Sequence, residues 1–197
     1  MGDEQTYEPG GQTYEAGERP DEELAREISP ENDADLHADP DAPSGEAGPA
    51  TEAARPWRVA KALLRLREQV NALAPNRSKV SDGTIGDTNH QNSNSDHNPH
   101  VADAGVGVVT AMDITHNPPG GCDSAKIAQS LVASRDPRIK YIIWNRNIVA
   151  SYPAGGRPAW TWRPYGGRNP HDHHVHISVL GAKAQFDSQS DWAVQVR

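Results

Sequence analysis

The six residues His174-Val-His-Ile-Ser-Val179 alternate polar and apolar side chains without a break. Successive side chains of a β-strand point to opposite faces, so Val175, Ile177 and Val179 share one face and His174, His176 and Ser178 the other. The apolar set belongs in a core. The two imidazoles, about 7 Å apart along the strand at the usual rise, must then line something polar.

Upstream, Lys140-Tyr-Ile-Ile-Trp-Asn145 also reads as a strand. Asn145-Arg-Asn147 is a turn into Ile148-Val-Ala-Ser151, which predicts a hairpin. Val108-Val-Thr-Ala-Met-Asp-Ile114 predicts a further strand, with Asp113 placed between core-facing Met112 and Ile114. Two helices complete the set. Val59, Ala62, Leu63, Leu66, Val70 and Leu73 fall on one helical face, with Pro56 at the helix entrance and Pro75 at its end. Asp123 is the expected N-cap of a second helix carrying Ile127, Ala128, Leu131 and Val132 to about Ser134. Helices and strands mix without a βαβ rhythm, so the expected class is α+β, a mainly antiparallel sheet flanked by helices. Residues 76–108 are polar and rich in Gly, Asn and Ser, and a loop of that length is usually functional or disordered.

The first 55 residues differ in kind. They carry 16 Asp/Glu and three Lys/Arg, against 11 and 16 in residues 56–197, so a formal charge of −8 divides into −13 and +5. Leu24, Ile28 and Leu36 are their only large aliphatics after Met1. Such a stretch cannot bury enough apolar surface to offset its ordering entropy and is expected to be a disordered acidic tail. It holds a short duplication, Gln5–Gly11 and Gln12–Glu18, and a segment, Asp21–Ser29, able to form a short helix. A solubilising linker and a docking segment for a protein partner are both open readings of it. The second unit, residues 56–197, carries the chemistry.

Composition narrows the function. No apolar run approaches the roughly 18–20 residues of a membrane span. The start MGDEQTYEPGGQ lacks the basic and apolar regions of a signal peptide. The single Cys122 permits neither an internal disulfide nor a multi-cysteine metal site, and no supporting pattern makes it a nucleophile. No basic stripe suggests nucleic acid.

Eight of the nine histidines lie between residues 90 and 176, four of them in His171-Asp-His-His-Val-His176. An isolated H-x-H strand is more often a pair of solvated or hydrogen-bonded histidines than a metal site. A second cluster, Ser95-Asp-His-Asn-Pro99, and a strand-borne Asp tilt the reading to metal, because mixed His/Asp sets with an open position mark catalytic zinc. Non-haem iron also uses two His and one carboxylate, but usually from a short H-x-D or H-x-E segment that this chain lacks.

Together, Ser95-Asp-His97-Asn-Pro, Ala111-Met-Asp113-Ile and His171-Asp-His-His-Val-His176-Ile resemble the three zinc motifs of the hedgehog/D-Ala-D-Ala peptidase superfamily, over about residues 57–192. That group includes D-Ala-D-Ala carboxypeptidases, murein endopeptidases and phage endolysins. The resemblance implies Zn2+ held by His97, Asp113 and His176 on the sheet face, with water as fourth ligand. The spacing departs from better-known members: 16 residues separate His97 from Asp113 where those have seven, an inserted loop at Val101–Gly107 absorbs the difference, and His100 competes as first ligand. His173 stands where many members place an acidic base. The murein endopeptidase branch is the more similar, and it implies catalytic roles for His174, His171 and Asp172. Ser95 is read either as a hydrogen-bonding group of the site or as a turn residue. Trp160, Trp162, Arg163 and Tyr165 are read equally as a cleft wall and as core aromatics.

The implied function is a zinc metallopeptidase cutting peptidoglycan stem peptides or cross-bridges. It would be made in the cytoplasm and act at the cell wall after release or on a phage particle. The rival reading is a non-catalytic zinc-stabilised module of a virion or secreted assembly.

Overall fold

The computed structural model describes residues 56–84 and 95–197. The acidic tail, with its duplication and the segment expected to form a short helix, and the tract 85–94 lie outside the described residues. Within them, three helices and two mostly antiparallel sheets form an α+β fold.

The larger sheet has five antiparallel strands in the order β4-β8-β5-β6-β7. These are β4 (Ala111–Thr115), β5 (Ile139–Trp144), β6 (Asn147–Ala150), β7 (Arg163–Pro164) and β8 (His174–Val179). The alternating hexapeptide is therefore a central strand along its whole length. The expected β5–β6 hairpin is present, and Asn145 and Arg146 take the positive φ (45° and 60°) that a tight two-residue turn needs.

Helix α1 (Lys61–Leu73) and helix α2 (Ser124–Ser134) cover one face of this sheet. Their buried stripes, Ala62, Leu63, Leu66 and Val70 on α1 and Ile127, Ala128 and Leu131 on α2, meet Met112, Ile114, Ile142, Val175, Ile177 and Val179. Each fully buried aliphatic side chain here is worth about 1.5–3 kcal/mol of burial. Asp123 caps α2 as expected, its Oδ1 accepting the Ala125 N–H at 2.8 Å. A short helix α3 (Lys183–Phe186) follows β8, and Trp192 beyond it donates its indole N–H to the Ala62 carbonyl.

Three expectations change. Val108–Ile114 is not one strand. It breaks at Thr110 into β3 (Val106–Val109), which belongs to a second sheet, and β4. Pro56 precedes a strand, β1 (Trp57–Val59), which pairs in parallel with β3 before α1 begins. The expected inserted loop is instead a hairpin: β2 (Val101–Asp103) returns antiparallel as β3, through Ala104 and Gly105 at φ 49° and 84°. The excursion closes at its base, where the Thr110 N–H meets the Asp96 carbonyl at 3.1 Å.

The other face of the large sheet carries Asp113, His176, Ser178 and Tyr141. Next to them lies a small cluster of Tyr141, Ile143, Ile148, Ala150, Tyr152 and Tyr165.

Candidate metal centre

Asp113 and His176 stand directly opposite each other in the β4–β8 pairing, which brings their side chains together on one face. On its outer edge Asp113 pairs with Gly83: the Asp113 N–H bonds the Gly83 carbonyl at 2.8 Å, and the Gly83 N–H bonds back at 3.3 Å. A Cβ on Gly83 would sit 3.2 Å from Asp113 Oδ2, so glycine lets this segment close tightly over the carboxylate. The segment is anchored by Arg77, which grips Asp82 through two bonds of 2.8 and 2.6 Å. Asp82 also accepts the N–H and hydroxyl of Thr115. Burial would raise the Asp82 pKa, but these bonds outweigh it and hold it below the ordinary carboxylate value.

His97 arrives on a turn, with the Asn98 N–H bonded to the Ser95 carbonyl and the His97 N–H to Ser95 Oγ. Ser95 is thus a turn residue here. The Nδ1–H of His97 donates to the Thr84 carbonyl at 3.2 Å, which leaves the Nε2 lone pair facing Asp113 and His176.

Three donors now converge. His97 Nε2 lies 3.1 Å from His176 Nδ1 and 3.3 Å from Asp113 Oδ2, and His176 Nδ1 lies 3.1 Å from Asp113 Oδ1. Tetrahedral coordination at zinc–nitrogen distances of about 2.0–2.1 Å sets its ligands about 3.3 Å apart. The donor set and its spacing therefore fit a zinc-type ion, and this buried trio is a group able to hold a metal.

Electrostatics point the same way. Burial would raise the Asp113 pKa, yet the charge of His97 and the bonds from both histidines hold it well below the ordinary range. Burial works to lower His97, but the charge and hydrogen bond of Asp113 raise it above its usual value. His176 is pushed down, chiefly by burial.

The other expected site residues divide. His174, on the same strand face, brings Nε2 to 3.8 Å from Asp113 Oδ2. His171 is buried, edge-on to the rings of His174 (5.0 Å) and His176 (5.6 Å). It holds a left-handed backbone conformation, φ 51°, of the kind that clusters at functional sites. Burial first, and then repulsion from His176, pushes its pKa down to about 3. It is a neutral ring of the inner wall.

Asp172 does not join the donors. It is half-exposed and pairs with His173 at 3.5 Å. His100 is exposed and falls outside the donor group, so His97 fills the place the two contested. Cys122 is buried, and burial raises its thiol pKa, the opposite of what a nucleophile needs. Of the aromatic stretch, Trp160 packs on the main core, Tyr165 meets His171 edge-on and Trp162 remains at the surface.

The sequence pattern does not mark Tyr141 as part of this site. Its ring stacks on His176 at 5.4 Å and 9°. The signal was faint, because a register shift in β5 decides which way it faces.

No family model, curated protein or solved structure matches this chain. Among the described residues no helix is long and apolar enough to cross a membrane.

Proposed function

We propose that this protein is a zinc-dependent peptidase acting on the peptide bonds of peptidoglycan, in stem peptides or cross-bridges. The observation that carries the metal chemistry is the convergence of His97 Nε2, Asp113 and His176 Nδ1 at 3.1–3.3 Å on one sheet face. The substrate class rests on the resemblance of the three motifs to the peptidase superfamily.

His97, Asp113 and His176 would hold the ion. When bound, zinc lowers the pKa of an attached water to about 7 and polarises a scissile carbonyl. Two neutral imidazoles and one carboxylate leave the site a net charge of about +1, which favours a substrate oxygen that gains negative charge. His174 is the group placed to move a proton. Its Nε2 reaches the edge of the donor set while its side chain keeps some contact with solvent. In the proposed role it takes a proton from water and returns one to the leaving amine. Asp113 steadies the resulting imidazolium from 3.8 Å. His171, neutral and buried, packs edge-on against the rings of His174 and His176 and takes no proton in this scheme. Asp172, exposed and paired with His173, takes no part in proton transfer in this scheme.

The test is digestion of purified cell walls, followed by release of free amines and mass spectrometry of the fragments. Release that is abolished by a chelator, restored by Zn2+ and lost in His174→Ala with metal still bound supports the peptidase. One equivalent of tightly bound metal with no cleavage of any wall preparation overturns it and favours the non-catalytic binding module.

A further inference from the structure

At its β6–β7 end the large sheet gathers charge of one sign. Residues 137–171 contain six Lys/Arg and no Asp/Glu. Arg138 and Lys140 are engaged by Asp136 and Asp96, at 2.8 and 3.0 Å. The other four, Arg146, Arg157, Arg163 and Arg168, stand 11, 6 and 5 residues apart, too scattered to read as a basic run. The acids that bound the segment are themselves engaged, Asp136 with Arg138 and Asp172 with His173.

The fold brings the four together. Arg163 lies on β7, the outermost strand, opposite Ile148. Arg146 sits in the turn into β6, where its carbonyl accepts the Tyr165 N–H and its own N–H donates to the Pro170 carbonyl, both at 2.8 Å. Arg168 is held in the short loop between those two anchor points. Arg157 closes the turn 154–157 through two backbone bonds with Ala154, of 3.0 and 3.1 Å. A Cβ on Gly155 of that turn would stand 3.2 Å from Arg163 Cδ, so the turn lies against the Arg163 side chain. Arg146, Arg157 and Arg168 are exposed and Arg163 is half-buried. Trp162, next to Arg163, adds one large apolar side chain at the surface.

We propose that this edge is the docking surface for the chain's own acidic segment, residues 21–41. That segment holds nine Asp/Glu against one Arg, a formal charge of −8. It also holds Leu24, Ile28 and Leu36, apolar side chains suited to Trp162. Complementary potentials steer such surfaces together, and guanidinium groups hold carboxylates in paired hydrogen bonds. The connection is long enough. Strand β1 pairs with β3, which leads into β4 at the opposite edge of the large sheet. At the usual strand spacing β7 lies about 20 Å across the sheet from β4. Residues 42–56 join the segment to Trp57, and when extended they reach about 50 Å. Because the segment is tethered, docking is independent of protein concentration. Because it depends on surface charge, salt dissolves it: the screening length falls from about 10 Å at 0.1 M to about 3 Å at 1 M. The docking stands apart from the proposed peptidase activity, since it uses none of the metal donors.

A spin label on Ala34→Cys in the full-length protein tests it. The native Cys122 is buried, so the introduced thiol takes the label. At low salt the Trp162 indole N–H and Arg157 amide signals should be lost or strongly weakened, and about 1 M NaCl should restore them. Arg157→Gln combined with Arg168→Gln should restore them at low salt, and the corresponding pair of lysine substitutions should not. Spin-labelled chain mixed with isotope-labelled wild type should leave both signals intact. Full intensity at low salt in the folded spin-labelled chain, or weakening that salt leaves unchanged, overturns the proposal. Weakening in the mixed sample overturns it in favour of a second copy. Full intensity together with binding of inorganic polyphosphate at this edge overturns it in favour of an external polyanion.

Discussion

The two faces of the five-stranded sheet are made by the same strands in the same register, yet they are held in opposite ways. One face, with Met112, Ile114, Ile142, Val175 and Ile177, is sealed by two helices and owes its order to burial. The other, with Asp113, His176 and Ser178, buries polar groups that gain nothing from leaving water. It is ordered by bonds that specify individual atoms: Thr84 on His97, Ser178 on His176 and Gly83 on Asp113. Interchange of similar side chains should therefore be tolerated on the first face and damaging on the second.

The largest break should come at His176→Ala. Under the proposed function, losing this ligand should weaken Zn2+ binding by more than the roughly 100-fold that loss of an outer partner can cost, and abolish the proposed wall hydrolysis. A circular dichroism spectrum like that of wild type would show that the apolar face still folds the sheet.

Next in size is acid sensitivity. The His171 pKa is about 3 when folded, against 6.5 for an ordinary histidine. Between those values the unfolded chain binds a proton that the folded protein refuses, so stability falls as pH drops from about 6.5 to about 3. The gap corresponds to several kcal/mol, on the order of 4, at the acid end. His171→Phe should flatten this limb in urea unfolding of the metal-free protein, while wild type keeps its slope.

On the apolar face, Ile177→Ala should cost about 2–5 kcal/mol in the same assay, through lost burial and the cavity left behind. Its effect on metal affinity per folded molecule should be small, which is the contrast with its neighbour His176. The least effect belongs to Asp123→Ala, which removes the cap of the covering helix α2 and should cost about 1 kcal/mol with the metal site untouched.

How much of this could be read beforehand follows from how local each signal is. The strand His174–Val179, the capped helix α2 and the Asn145–Arg146 turn depend on near neighbours and were legible as patterns. The donor trio was legible as well, because His97, Asp113 and His176 sit in motifs whose residue types announce their chemistry. The break at Thr110 was not, since Val106–Ile114 is continuously apolar apart from Gly107, Thr110 and Asp113, and only the Asp96 carbonyl shows where it turns. The facings of Lys140 and Tyr141 were hidden for a similar reason. They depend on a bulge that moves the register by one residue, and no composition rule marks that place.

The β2–β3 hairpin has a practical corollary. Because the Thr110–Asp96 backbone bond shuts its base, the number of residues between His97 and Asp113 is not what sets the distance between them. The hairpin is an appendage on a closed ring. At its tip Gly105 has no other heavy atom within 4 Å of where a side chain would begin. That tip is a port: a fluorophore, an epitope or a targeting peptide spliced between Ala104 and Gly105 would ride outside the ring and leave the His97–Asp113–His176 group undisturbed.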